Sequence, residues 1–93
     1  MKITYDPRKR EATLEARGLD FADADLVFEE QHFTRRDDRY PYGEDRFVSV
    51  GQLSSRVVVM VWTPRGNSRR VISMRDANAK EKKLYRSAIR GSR

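Results

Sequence analysis

The sequence contains no cysteine, which excludes disulfides, cysteine-ligated zinc and a thiol nucleophile. Histidine is nearly absent as well. His32 stands alone where a helix is expected to give way to a loop, with no second histidine near it, and reads as a solvated or helix-terminal residue. No stretch is apolar and long enough to span a bilayer, and the opening residues Met1 to Pro7 carry no apolar signal region. A soluble protein of a reducing cytoplasm is the expected setting. No internal repeat, low-complexity tract or linker is recognisable, so residues 1–93 read as one domain.

What the chain does contain is organised around one hairpin. Val57 to Thr63 is apolar at nearly every position and largely β-branched, which predicts a strand buried on both faces and central in a sheet. Pro64 to Ser68 supplies a reversal. The return strand, Arg69 to Met74, carries Arg69 and Arg70 and runs into Arg75. Strict alternation places Arg70, Ile72 and Met74 on one face and Val71, Ser73 and Arg75 on the other.

Before the hairpin, Asp6-Pro7 predicts a helix start and Gly18 its end near Arg17. Asp20 caps a second helix whose Phe21, Ala24, Val27 and Phe28 share a face. Lys2 to Tyr5 reads as an edge strand or an anchored tail, part of Gln31 to Arg35 as an edge strand, and Arg46 to Leu53 as a full strand. Asn78 with Glu81 has capping-box spacing, opening a basic helix from Ala79 with Leu84 and Ala88 inward, Tyr85 beside them, and Gly91 at its end. The fold class is therefore α+β: a small twisted antiparallel sheet of three to four strands, two N-terminal helices and one C-terminal basic helix.

The formal charge of +6 is unevenly spread. Arg75 to Arg93 holds seven Lys/Arg against two acids, whereas Asp20 to Asp45 holds nine acids against three arginines. The basic end suits an anionic partner: RNA, DNA or an acidic protein. A membrane surface fits less well, because no strongly apolar face accompanies the charge.

In order along the chain, Tyr5-Asp6-Pro7, Gly18-Leu19-Asp20-Phe21 and Val27-Phe28-Glu29 resemble the opening of the BrnT toxins. Glu44 to Gly51 resembles that family's Glu-Glu-Arg-aromatic strand, and Arg70 to Ala77 its Arg-Ile-Ile-Ser-Ala-Arg strand end. Glu81 and Tyr85 match the Glu and Tyr of its closing helix. The resemblance implies a RelE-like fold and metal-independent RNA cleavage. It also implies neutralisation by an antitoxin with a ribbon-helix-helix DNA-binding domain. A homodimer within a toxin–antitoxin heterotetramer is compatible with it, and no cofactor is implied. The chain departs from the family at three places: Ala16-Arg17 replaces Lys-His, Trp62 replaces His, and Asp76 replaces Lys. Chemistry would then rest on arginine, carboxylate and tyrosine.

The expected reaction is attack of a 2′-hydroxyl on the adjacent phosphate. Arg70 and Arg75 bind the phosphate through planar guanidinium forks, Arg46 supports them, and Glu81 or Tyr85 moves protons. Lys80, Lys82, Lys83 and Arg86 attract the RNA backbone. Each residue also has a plain structural reading. Strand arginines pair with Glu29, Glu44 or Glu81; Glu81 closes the capping box; Tyr85, Trp62 and Phe47 pack in the core. Asp37, Asp38, Glu44 and Asp45 have magnesium-ligand chemistry but are flanked by arginines, and read as a solvated charged loop. The acidic middle is expected away from RNA, at a dimer interface or against a basic part of the antitoxin. The alternatives to a ribonuclease are a non-catalytic nucleic-acid-binding module of the same fold and an interaction domain docking an acidic partner.

Overall fold

The helix starts marked at Asp6-Pro7 and at Asn78 with Glu81 are realised for the expected reason, whereas Asp20 caps a 3-10 turn ahead of the second helix. In the computed structural model, which describes residues 2–91, the Asp6 carboxylate accepts from the Arg8 N–H at 2.9 Å and opens α1 (Pro7–Arg17). Gly18, at φ 67°, closes α1 by donating its N–H to the Leu14 carbonyl. Asp20 caps a 3-10 turn (Phe21–Asp23) that continues into α2 (Ala24–Glu29). Asn78 and Glu81 bond reciprocally, each side chain accepting the other's N–H at 2.8 and 2.9 Å, and open α3 (Ala79–Gly91).

The strands are β1 (Lys2–Tyr5), β2 (His32–Arg36), β3 (Phe47–Leu53), β4 (Arg56–Arg65) and β5 (Ser68–Asp76), in the order β1-β5-β4-β3-β2. β4 is central, as its two apolar faces require. Gly66 and Asn67 alone make the β4–β5 reversal, with Gly66 at φ 56°. Pro64 is tolerated in β4 because it lies beyond Trp62, the last β4 residue paired to β3. β1 joins β5 in parallel, while the other three pairings are antiparallel. The expected antiparallel sheet of three to four strands is thus corrected to a five-stranded mixed sheet. Four residues cannot announce a partner as distant in sequence as Ser68 to Val71.

Helices cover both faces. Val58 and Met60 meet Leu19, Phe21, Ala24 and Val27 on one side; Val59 joins Val48, Val50, Ala77 and Tyr85 on the other. Trp62 is a core residue on the α2 side, stacked on Phe47 with ring centroids 5.1 Å apart, and its Nε1–H donates to the Ser49 hydroxyl at 2.8 Å. Asp76 is salt-bridged to Arg56, which also donates to the Arg17 and Gly18 carbonyls and so ties the central strands to the end of α1.

Two expectations about side-chain direction fail, both for local reasons. On β5 the register shifts at Ile72: Ser73 lies opposite Val61, but Val71 already lies opposite Trp62. That bulge puts Arg70 (opposite Thr63) and Arg75 (opposite Val59) on the same face, not opposite ones. On α3, Leu84 and Ala88 are exposed, and the buried Tyr85 and half-buried Ile89 face the sheet. Residues 81, 85 and 89 form one stripe, so the rotation that buries Tyr85 also brings Glu81 to Arg75.

Candidate functional site

Beyond the area under α3, the same sheet face carries a shallow cleft of about 220 Å³. Val48, Val59, Val61 and Ser73 form its floor, and Arg35, Arg39 and Arg75 its cationic walls. Arg35 arrives there because it pairs with Val48 across the β2–β3 ladder, on the face opposite His32 and Thr34. Arg39 arrives through Asp37. That carboxylate is buried and accepts from Arg39 Nε at 2.8 Å, from Arg39 Nη2 at 3.0 Å and from the Tyr42 hydroxyl at 3.1 Å. The hydrogen bonds from Arg39 hold the Asp37 carboxyl down at about 2. Asp37 is therefore no part of a solvated loop, as the sequence reading had it, but the buried anchor of one wall.

Arg75 is held by Glu81 through two parallel bonds of 2.8 Å. Hydrogen bonding by Arg75 is the main cause that lowers the Glu81 carboxyl to about 2, and the charge of Arg35 adds to it. The positive charge of Arg39 acts against that of Arg75. These couplings locate Arg35, Arg39, Arg75 and Glu81 within one electrostatic neighbourhood. Glu81 is fully charged near neutral pH, and it keeps the capping bond at the same time.

The other predicted site residues are not all gathered here. Arg70 shares the face but lies four β4 residues along the ladder from Arg75, a separation of about 13 Å. The Arg70 side chain forms no ion pair or hydrogen bond among the described residues. Arg46 lies in the loop before β3, bonded to Glu44 at 3.1 Å with its guanidinium 4.0 Å from the Tyr42 ring centre. Tyr85 is buried, its hydroxyl donates to the Gln31 carbonyl at 3.0 Å, and burial raises its pKa. Lys80, Lys83 and Arg86 are exposed on α3 and Lys82 is half-buried, none of them in a salt bridge among the described residues. His32 lies on the far face, its Nδ1–H donating to the Glu30 carbonyl at 2.8 Å.

Arg35 and Arg39 were missed in the sequence because they sit in a charge-rich stretch with no local pattern. One signal was present: Phe33 and Arg35 alternate onto the face that the Val48 to Val50 strand turns toward α3.

Three guanidinium groups around an apolar floor suit an oxyanion with several acceptor oxygens, such as a phosphodiester, better than a neutral ligand. A family model described as ribonuclease toxin, BrnT, of type II toxin–antitoxin system matches residues 5–81. The match takes in every cleft residue and stops at Glu81, short of Tyr85. No curated protein matches the chain.

Proposed function

We propose, since the chain belongs to the BrnT family of type II ribonuclease toxins, that it cuts RNA at the cleft between Arg35, Arg39 and Arg75. Membership implies an RNA target and an antitoxin partner. The observation that carries the siting is the bidentate Arg75–Glu81 pair at the edge of a three-arginine cleft. A scissile phosphate competes with Glu81 for the Arg75 fork. Arg35 and Arg39 contact the remaining non-bridging oxygens and stabilise the extra charge of the phosphorane. Freed from Arg75, the Glu81 carboxylate becomes a stronger base and takes the 2′-hydroxyl proton. The 2′-oxygen bonds to phosphorus, the bond to the 5′-oxygen breaks, and that oxygen takes a proton from water in the open cleft. The products are a 2′,3′-cyclic phosphate and a 5′-hydroxyl, with no metal in the scheme. Tyr85 anchors α3, Arg70 takes a neighbouring phosphate, and Arg46 braces the loop. Lys80, Lys82, Lys83 and Arg86 draw the strand in.

The rest of the reading follows the family resemblance: one RelE-like domain acting in the cytoplasm, where it inhibits translation and growth. A ribbon-helix-helix antitoxin with an acidic segment over the arginines neutralises it, within a heterotetramer built on a toxin dimer. Among the described residues no helix is long and apolar enough to cross a membrane.

The test is cleavage of single-stranded RNA, with and without ribosomes, in EDTA, by the wild type, Arg75→Ala and Arg35→Ala/Arg75→Ala. We expect cyclic-phosphate ends from the wild type and loss of product in both variants. A second reading, a binding module without chemistry, is favoured by the engagement of Glu81 with Arg75 and of the Tyr85 hydroxyl with Gln31. Retained RNA binding with no cleavage in either format selects it.

A further inference from the structure

The loop between β2 and β3 holds an exposed aromatic side chain that the reaction above does not use. Tyr40 is 66% exposed, the most exposed of the large apolar or aromatic side chains among the described residues. An open ring offers a π-face for stacking, and this one follows directly on Arg39, a wall of the cleft. The loop is braced. Tyr42 meets Tyr40 edge to face with ring centres 5.8 Å apart, and its hydroxyl donates to Asp37, which holds Arg39. One face of the Tyr42 ring is occupied by the Arg46 guanidinium, and Tyr40 is the ring left open. Nor does the acidic composition of the loop repel an anion. Asp38 and Asp45 pair with Arg36, Glu44 with Arg46 and Arg65, and Asp37 with Arg39.

We infer that Tyr40 is a nucleobase-stacking subsite, which receives an unpaired base of the strand whose phosphate lies between Arg35, Arg39 and Arg75. The inference rests on the phosphate reading of that cleft and adds to it a reason for single-strand preference. Proteins that hold single-stranded RNA combine a cationic track for the backbone with an aromatic face for a base, and a duplex cannot offer a splayed base. The Tyr42–Asp37–Arg39 chain fixes the ring relative to the guanidinium, so base and phosphate are read at a set spacing.

The test compares two uncleavable probes of equal charge, a single-stranded 2′-O-methyl oligonucleotide and its fully abasic counterpart, by fluorescence anisotropy on the full chain. Tyr40→Ala is expected to weaken binding of the base-bearing strand roughly 5- to 150-fold, the range for one lost stack, and to leave the abasic strand unchanged. Tyr40→Phe restores the affinity, because stacking needs the ring and not the hydroxyl. Equal affinity of wild type and Tyr40→Ala for the base-bearing strand overturns the inference, and would leave the ring for a protein contact instead. Equal weakening on both probes also overturns it, since that result means a displaced Arg39. Arg75→Ala tests the phosphate site separately. If it leaves the abasic strand's affinity unchanged, the cleft reading fails and the subsite with it; a negative Tyr40 result alone spares the cleft.

Discussion

Glu81 has two sets of partners that one substitution separates. Its Oε1 accepts from the Asn78 N–H, and its two oxygens accept from the two Arg75 nitrogens. Glutamine keeps the amide acceptor and serves as well at this position of a capping box. What is lost is the charge facing Arg75 and one of the two bonds to it, since the amide nitrogen cannot accept from an Arg75 N–H. The Glu81 carboxyl lies at about 2 instead of 4.5, which corresponds to about 3 kcal/mol between its charged and neutral forms. The Arg75 side chain is 43% exposed, so screening by solvent reduces this to about 1.5 kcal/mol of stability. Because the folded-state pKa is depressed, the contribution is complete above about 4.5 and lost as pH falls toward about 2. Urea unfolding of wild type and Glu81→Gln should therefore differ by about 1.5 kcal/mol at pH 7, with most of the gap closed at pH 2.5. A gap that stays constant over that range would refute the reasoning, because lost packing or lost capping does not titrate there. The same variant bears on catalysis: cleavage should fall by roughly 10²- to 10⁴-fold while RNA affinity does not drop, since a base is removed and Arg75 is freed.

Three further outcomes follow from the geometry. Tyr85→Ala should cost about 3–5 kcal/mol in urea unfolding; Leu84→Ser, one residue earlier on the exposed side, should stay within about 0.5 kcal/mol. Arg35→Ala should lower the slope of log affinity against log salt for single-stranded RNA by about 0.7, the value for one lost phosphate contact. Gly51→Ala places a Cβ 2.7 Å from Val27 Cγ1 and 3.0 Å from His32 Cβ, and should destabilise by about 1–3 kcal/mol, read as a lowered urea midpoint.

Besides the strand count and the burial of Asp37, two sequence readings failed on orientation, and each failed at one residue. Alternation along Arg69 to Met74 was sound until the bulge at Ile72 absorbed one position, which reversed the face of Arg70 relative to Arg75. Apolar spacing on α3 favoured Leu84, but the helix is turned so that Tyr85 faces the sheet and Glu81 meets Arg75. Leu84 and Tyr85 are neighbours on a short basic helix, and composition alone does not rank them. The plain readings of Arg46 with Glu44, Arg75 with Glu81 and Trp62 in the core all correspond to contacts in the structure.

By itself the sequence determined what depends on neighbours a few residues apart. Asp6, Gly18, Asp20 and the Asn78–Glu81 pair bound the helices, because capping is a bond between residues two to four positions apart. The apolar run of β4 declared a central strand, because burial on both faces leaves no polar alternation. Tertiary structure alone decided that β1 adds to β5 in parallel and that Arg35, Arg39 and Arg75 share a cleft. Those outcomes depend on register between segments far apart in the chain, where one bulge redirects a side chain and leaves no local trace.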